Sequence, residues 1–262
     1  MKTLFIALVL FCGILQAGTI DPKRSDQEYI DYGNKHDCVV KIEGKQLDDL
    51  NFFASAVVID EDIILTAAHI TKNSKYAHIV FNNEPIKILL FIVPEEYDEN
   101  QIGGNGFDLS IGLLQKKVNL SFYPQLYEKT DETDKICSIS GFGLTGNFDK
   151  GADFSDGKKR AGSNIIKGIE DGVLVCSLLD FPNTQLEFMI SNGDSGGGLF
   201  IDKKLAGINS SIYTKSKKLN SDRNTFSMHT RISIHYKWIK KVIEEIKNAQ
   251  SNVSRITGDN GE

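Results

Sequence analysis

Gly193-Asp194-Ser195-Gly196-Gly197 sets a serine among glycines, where a tight turn can present the hydroxyl and leave backbone N–H groups free to face a developing oxyanion. Upstream, Leu65-Thr66-Ala67-Ala68-His69 ends an apolar run on an imidazole, and Phe107-Asp108-Leu109-Ser110-Ile111-Gly112-Leu113-Leu114 opens another on a carboxylate. A hydroxyl, a base near neutrality and a buried acid are the three groups needed for nucleophilic attack on a carbonyl. Each segment also has an ordinary reading: a bystander serine in a glycine loop, a histidine satisfied in a core, a carboxylate at the start of a strand. No Cys-x-x-Cys or His-x-x-x-His spacing occurs, so the sequence supports no metal site, and the chemistry calls for no cofactor.

Chain order sharpens the choice. As G-x-S-x-G, the pentapeptide fits the nucleophile elbow of an α/β-hydrolase, which needs acid and histidine after the serine; Ser195, Asp222 and His229 stand in that order. No alternating βα pattern precedes Ser195, which argues against it. With histidine first, aspartate second and serine last, the three segments closely resemble the chymotrypsin/trypsin-like serine peptidase family: T-A-A-H, D-x-x-I-x-L-L and G-D-S-G-G. Ser140-Gly141-Phe142-Gly143, Leu205-Ala206-Gly207-Ile208 and His229-Thr230-Arg231-Ile232 followed by Trp238 extend the resemblance over about residues 38 to 248. An export signal followed directly by the domain resembles the bacterial or fungal exported members.

The resemblance implies that Ser195 is the nucleophile, His69 the general base and Asp108 its orienting acid, with an oxyanion hole from the N–H groups of Gly193 and Ser195. It implies protein or peptide substrates and an exported monomer. Six residues before the nucleophile, at the base of the family's specificity pocket, stands Met189, which disfavours cleavage after Lys or Arg. Ser210, Ile212 and Ser227 are expected to line the rest, with the branched Ile212 narrowing the pocket towards small or medium aliphatic residues. Asp194 is expected to pair with a freed N-terminal amine, from signal removal near Gly18–Ile20 or from cleavage after Lys23-Arg24. A catalytically silent homologue that only binds is the alternative, and the altered pocket is its best support. Cys137 matches a family cysteine whose usual partner position holds Ile201, and Cys176 stands as a substitute partner.

The remaining sequence must position these groups. Of 262 residues, 40% are apolar and 25% charged, enough for one large domain or two small ones with a real core. Lys2 followed by the apolar run Leu4 to Leu15 and Leu15-Gln16-Ala17 reads as a signal peptide over 1–17, shorter than the ~20 residues of a membrane span. Without it the chain has 29 basic and 35 acidic residues, no field for nucleic acid or an anionic membrane, and a secreted or periplasmic destination. It also keeps three cysteines, Cys38, Cys137 and Cys176, which allow one bridge at most.

Twelve short apolar pieces are expected as strands: Cys38–Ile42, Ser55–Ile59, Ile63–Ala68, His78–Phe81, Ile86–Val93, Leu109–Leu114, Ile136–Ser140, Ser163–Ile169, Val173–Leu179, Gly198–Ile201, Leu205–Ile212 and Ser227–Ser233. Thr145–Gly162 and Thr214–Thr225 read as polar loops. Tyr236, Ile239, Ile243 and Ile246 recur at helical spacing, and Trp238 is expected to pack on the domain. The expected class is all-β: an N-terminal segment over 18–37, two packed six-stranded antiparallel Greek-key barrels over 38–130 and 131–233, a helix over 234–249 and a flexible tail over 250–262.

Overall fold

The computed structural model describes residues 18–178, 184–214 and 221–258. The expected signal segment 1–17 with Cys12, the end of the expected strand at Leu179, the lysines at 215, 217 and 218, and the last four residues lie outside them.

Strands β1 to β7 are Gly18–Ile20, Val39–Gln46, Asn51–Asp60, Ile63–Thr66, Ser74–Phe81, Glu84–Ile92 and Ser110–Leu114. Strands β8 to β16 are Ile136–Gly141, Thr145–Asn147, Gly151–Phe154, Arg160–Glu170, Val173–Ser177, Phe188–Met189, Gly198–Ile201, Lys204–Thr214 and Thr225–Arg231. Helices α1 to α3 are Asp26–Gly33, Ala68–Thr71 and Ile232–Gly258. Six strands close a first antiparallel barrel in the order β2-β3-β4-β7-β6-β5, and six close a second in the order β11-β12-β16-β15-β14-β8. The twelve barrel strands fall on the twelve apolar pieces read from the sequence.

Alternation along each strand builds two cores and a seam. Val40, Ile42, Ala54, Ala56, Val58 and Ile64 point into the first barrel, while Val39, Val57 and Leu65 from the same strands face outward to meet Phe200, Leu205 and Ile208 of the second. Cys137, Ile139, Ile166, Leu174, Cys176 and Leu199 fill the second barrel. Helix α3 lays Ile239, Val242 and Ile246 into the seam, with Trp238 packed beside them; each such apolar side chain contributes about 1.5–3 kcal/mol when fully buried. Lys247 reaches Asp60, and Gln250 Nε2 donates to Asp62 Oδ2 at 2.7 Å, so the helix grips the first barrel as well.

Several expectations need correction. Thr145–Gly162 is not simply a loop: β9 and β10 form a hairpin there, joined to β1 and β13 in a small sheet ordered β10-β9-β1-β13. Residues 18–37 carry helix α1, started by a capping box in which the Ser25 side chain accepts from the Glu28 N–H and the Glu28 side chain accepts from the Ser25 N–H. Helix α3 begins at Ile232, within the piece expected to be the last strand, and runs to Gly258, through residues expected as tail. Cys38, Cys137 and Cys176 are all free thiols. Cys137 and Cys176 lie opposite Asn164 and Ile166 on either side of β11, and their Sγ atoms stand 3.9 Å apart, about twice the ~2.05 Å of a disulfide.

Candidate active site

Strand register brings His69 and Asp108 together. Antiparallel pairing of Thr66 with Ser110 sets the end of β4 against the start of β7, so a residue just after one meets a residue just before the other. His69 sits on the short helix α2, and Asp108 Oδ1 accepts its backbone N–H at 2.9 Å. Asp108 Oδ2 stands 2.7 Å from His69 Nδ1, and His69 Nε2 is 3.1 Å from Ser195 Oγ. Ser195 comes from the other barrel, on the turn that precedes β14.

Asp108 is held from both barrels. Ser210 on β15 donates its hydroxyl to Asp108 Oδ2 at 2.6 Å, and Thr230 on β16 donates to the Asp108 carbonyl at 2.9 Å. Burial by itself would raise the carboxyl's pKa, but the hydrogen bonds and charge of His69 and the Ser210 hydroxyl outweigh it and hold it below the usual carboxylate range. An acceptor-only carboxylate requires His69 Nδ1 to carry a proton, which leaves Nε2 as the acceptor facing the serine.

The nucleophile turn depends on glycine at two positions. Gly193 has φ +94, and a Cβ there would lie 2.4 Å from the Phe53 ring; Gly196 has φ +83, and its Cβ would lie 2.1 Å from the Ser55 carbonyl. Among the described residues, the backbone N–H groups of Gly193 and Ser195 donate to nothing, whereas the Asp194, Gly196 and Gly197 N–H groups are all engaged. Two backbone donors on the nucleophile turn are thus left available to an acceptor, the kind of group that a negatively charged oxygen takes.

Asp194 is fully buried and points away from the serine. Its carboxylate accepts from Gly143 N at 2.8 Å and Ser191 N at 2.8 Å, and the Ser191 hydroxyl, whose one proton is contested by the Leu144 carbonyl, stands 3.1 Å away. No cation pairs with it among the described residues, and burial lifts its pKa to about 6 against those hydrogen bonds.

Of the four expected pocket residues, Ser210 and Ile212 line the cleft beside His69, and Met189 and Ser227 lie buried. Met189 and Ser227 are buried together, with Met189 Sδ 3.9 Å from Ser227 Oγ and 3.4 Å from Asn164 Nδ2. Ile212 pairs in register with Ser227 and is half-buried. The Ser210 hydroxyl turns to Asp108, and its carbonyl lies 3.4 Å from Ser195 Oγ. Behind them runs a network absent from the sequence reading. Asn209 Nδ2 donates to the Ser140 and Asp194 carbonyls, both at 3.1 Å, so its Oδ1 must accept from His229 Nδ1 at 2.9 Å; His229 Nε2 in turn accepts from Ser227 at 3.0 Å. Burial drives the His229 pKa down to about 3, consistent with a neutral ring in this chain of bonds. Ser55 is a further missed residue; its trace in the sequence is a lone serine in the run Phe53-Ala54-Ser55-Ala56-Val57-Val58.

Beside His69 a cleft of about 400 Å³ opens between Tyr97, Gln101, Ser211 and Tyr213. Among the described residues, no three His, Cys, Asp or Glu side chains are grouped to hold a metal, and no helix is long and apolar enough to cross a membrane.

Among solved structures, the chain is similar to neuropsin, a serine protease expressed in the limbic system of mouse brain, at 19% identity and TM-score 0.64 over 80% of this chain and 96% of that one. It is also similar to HL collagenase, at 13% identity and TM-score 0.65 over 87% of this chain and 98% of that one. No curated protein matches its sequence. These likenesses bear on the two-barrel fold, whereas a family model reads the sequence itself: the model described as Trypsin matches residues 29–239, and the chain belongs to the trypsin family of serine endopeptidases.

Proposed function

We propose that the chain is an exported, monomeric serine endopeptidase in which His69, Asp108 and Ser195 act as one unit on protein or peptide substrates. The observation that carries this reading is the unbroken hydrogen-bonded line Asp108–His69–Ser195, spanning the two barrels at 2.7 and 3.1 Å. Ser195 Oγ attacks the scissile carbonyl carbon as its proton passes to His69 Nε2, and Asp108 stabilises the imidazolium. The carbonyl oxygen, now anionic, takes the N–H groups of Gly193 and Ser195, each worth about 3–4 kcal/mol in the transition state. His69 then gives its proton to the leaving amine, and water attacks the acyl-enzyme by the same route in reverse. Labelling with a fluorophosphonate probe and peptide mapping tests this: a single adduct on Ser195 is expected, absent when the chain is denatured before the probe is added, and folded chain that takes up no probe would refute it.

For specificity, the buried Met189 and Ser227 and the branched Ile212 leave room for a small or medium aliphatic side chain and supply no charge to fix a basic or acidic one. A peptide-library profile is expected to show cleavage after such residues; dominant cleavage after Arg, Lys or Glu would overturn this.

The amine for Asp194 is best supplied by removal of 1–17. Gly18–Ile20 is a buried strand that pairs Gly18 with Thr145 and Thr19 with Met189, and cleavage after Arg24 would discard it. Thr145 Oγ1 is buried and unpartnered, and the neighbouring Leu144 carbonyl takes the same Ser191 hydroxyl that faces Asp194. A Gly18 ammonium therefore enters a shell already short of a donor.

The pH dependence has a definite sign. An unpaired Asp194, with its pKa raised to about 6, favours folding most when protonated, so its contribution falls as pH rises from about 4 to about 6. The cost at pH 7 is on the order of 3 kcal/mol. Pairing removes it. Urea unfolding at pH 4 and pH 7 should show this loss in an N-acetylated Gly18 chain and not in the chain with a free amine; identical curves would sink the pairing.

A further inference from the structure

We propose that Ser55 is a positioning residue that latches the oxyanion loop in its working orientation. Ser55 lies in β3 of the first barrel, fully buried, yet three of its four polar contacts beyond the strand ladder reach the nucleophile turn or the second-barrel turn beside it. Its N–H donates to the Ser195 carbonyl at 2.8 Å, and its carbonyl accepts from the Thr66 hydroxyl at 2.8 Å. Its hydroxyl accepts from Phe142 N at 2.9 Å, which commits its one proton to the Gly193 carbonyl at 3.0 Å.

The consequence follows from peptide planarity. In a trans peptide, C=O and N–H point in opposite directions, so fixing one aims the other. On the near side of Gly193, the Asn192 carbonyl accepts from Leu144 N at 2.6 Å, which turns the Gly193 N–H away from Leu144. On the far side, the Ser55 hydroxyl fixes the Gly193 carbonyl, and the Asp194 N–H turns to Ser191 O at 3.0 Å. Both planes that meet at Gly193 are thus pinned. The need is specific to this position: a glycine at φ +94 rotates with little steric resistance, so once the 193–194 plane is released the Leu144 bond alone holds the adjoining 192–193 peptide, whose flip would exchange the free donor for a carbonyl. The Phe142 contact ties the same hydroxyl to the second-barrel turn that holds Asp194 through Gly143. Backbone pairing of Ser55 with Lys41 in β2 does not involve the hydroxyl, so an alanine can keep the strand and lose the latch.

The inference rests on Gly193 as an oxyanion donor, and its test separates the two. Ser55→Ala, Ser55→Thr and the near-isosteric Ser55→Cys, a weak donor, are made in the processed chain. Turnover of a p-nitroanilide with a small aliphatic residue before the scissile bond is followed together with amide hydrogen exchange over 140–146 and 190–196. In Ser55→Ala, kcat should fall about ten- to a hundredfold, less than the 10²–10³ of a deleted donor, with KM within about twofold and an unmoved pH profile. Exchange should rise in both segments, and Ser55→Thr should restore both readouts. Unchanged exchange, or kcat within about twofold of the parent, overturns the latch. Should Ser55→Ala not fold, the same criteria apply to Ser55→Cys. Should the parent itself neither turn over nor label, the proposed function fails and exchange alone decides the latch.

Discussion

Asp108→Asn is expected to leave a folded enzyme that has lost about 10⁴ in kcat at neutral pH, and Ser195→Ala one that has lost on the order of 10⁶. The first loss comes from an inverted tautomer. Asp108 is surrounded only by donors: the His69 N–H on Oδ1, and His69 Nδ1 and the Ser210 hydroxyl on Oδ2. An asparagine has a single oxygen, and the backbone N–H cannot reverse its role, so that oxygen stays on the backbone side. Its NH₂ then faces His69 Nδ1, which must become the acceptor and send the ring proton to Nε2. A protonated Nε2 cannot receive the proton of Ser195. Steady-state kinetics should show KM nearly unchanged in both variants, since neither substitution alters Met189, Ile212 or Ser227. An Asp108→Asn enzyme within tenfold of the parent would mean that His69 is not the base.

Arg160→Ala should cost about 3–5 kcal/mol of stability, the range for breaking a buried ion pair from one side. The Arg160 side chain is wholly buried on β11. Its Nη2 reaches Asp26 Oδ2 at 2.7 Å and Asp156 Oδ2 at 2.8 Å, so one guanidinium fastens helix α1 and the segment before β11 to the second barrel. Truncation strands two carboxylates that are only 10% and 12% exposed. For a chain of this size the loss corresponds to a fall in Tm of about 10 °C. It also has a pH signature. Burial would raise the pKa of Asp156, but the Arg160 hydrogen bonds prevail and lower it. A carboxyl depressed in the folded state adds stability above its unfolded pKa of about 4 and loses it as pH falls through the folded value. Parent and variant should therefore converge in urea stability as pH drops below about 4; a constant gap would place the loss in packing rather than charge.

The barrel strands were legible from short apolar runs, clearest where both faces are apolar, one turned to a core and one to the seam, as in Ile63-Ile64-Leu65 of β4. Strands β1, β9, β10 and β13 carry no such mark. They are two to four residues long and owe their shape to partners far along the chain, as when Thr19 meets Met189. Helix α1 did carry a local signal, Ser25-x-x-Glu28, but eight residues with only Tyr29 and Gly33 buried give no apolar stripe. The end of α3 was missed for the opposite reason, since polar residues extend a helix without periodicity to announce it.

At the site, the three groups that meet were legible because each sits in a distinctive motif. Their supports were not. Ser210 and Thr230 reach Asp108 across 102 and 122 residues, and a lone hydroxyl in an apolar strand does not say what it faces. The family resemblance placed Ser210 in a pocket wall; in the fold it lines the cleft beside His69 while its hydroxyl serves the acid, a second task that no motif announces.

Strand β16 closes the second barrel between β12 and β15, and its Thr230 hydroxyl supplies Asp108 with a bond from 122 residues downstream. Timing follows from this connectivity. A growing chain that has reached residue 200 already contains His69, Asp108 and Ser195, yet it lacks β15, β16 and α3, and with them Ser210, Thr230 and the helix that spans the seam. Assembly of the site therefore waits until the chain has passed Thr230, and an emerging chain short of that point holds its own chemistry in separate, unjoined pieces.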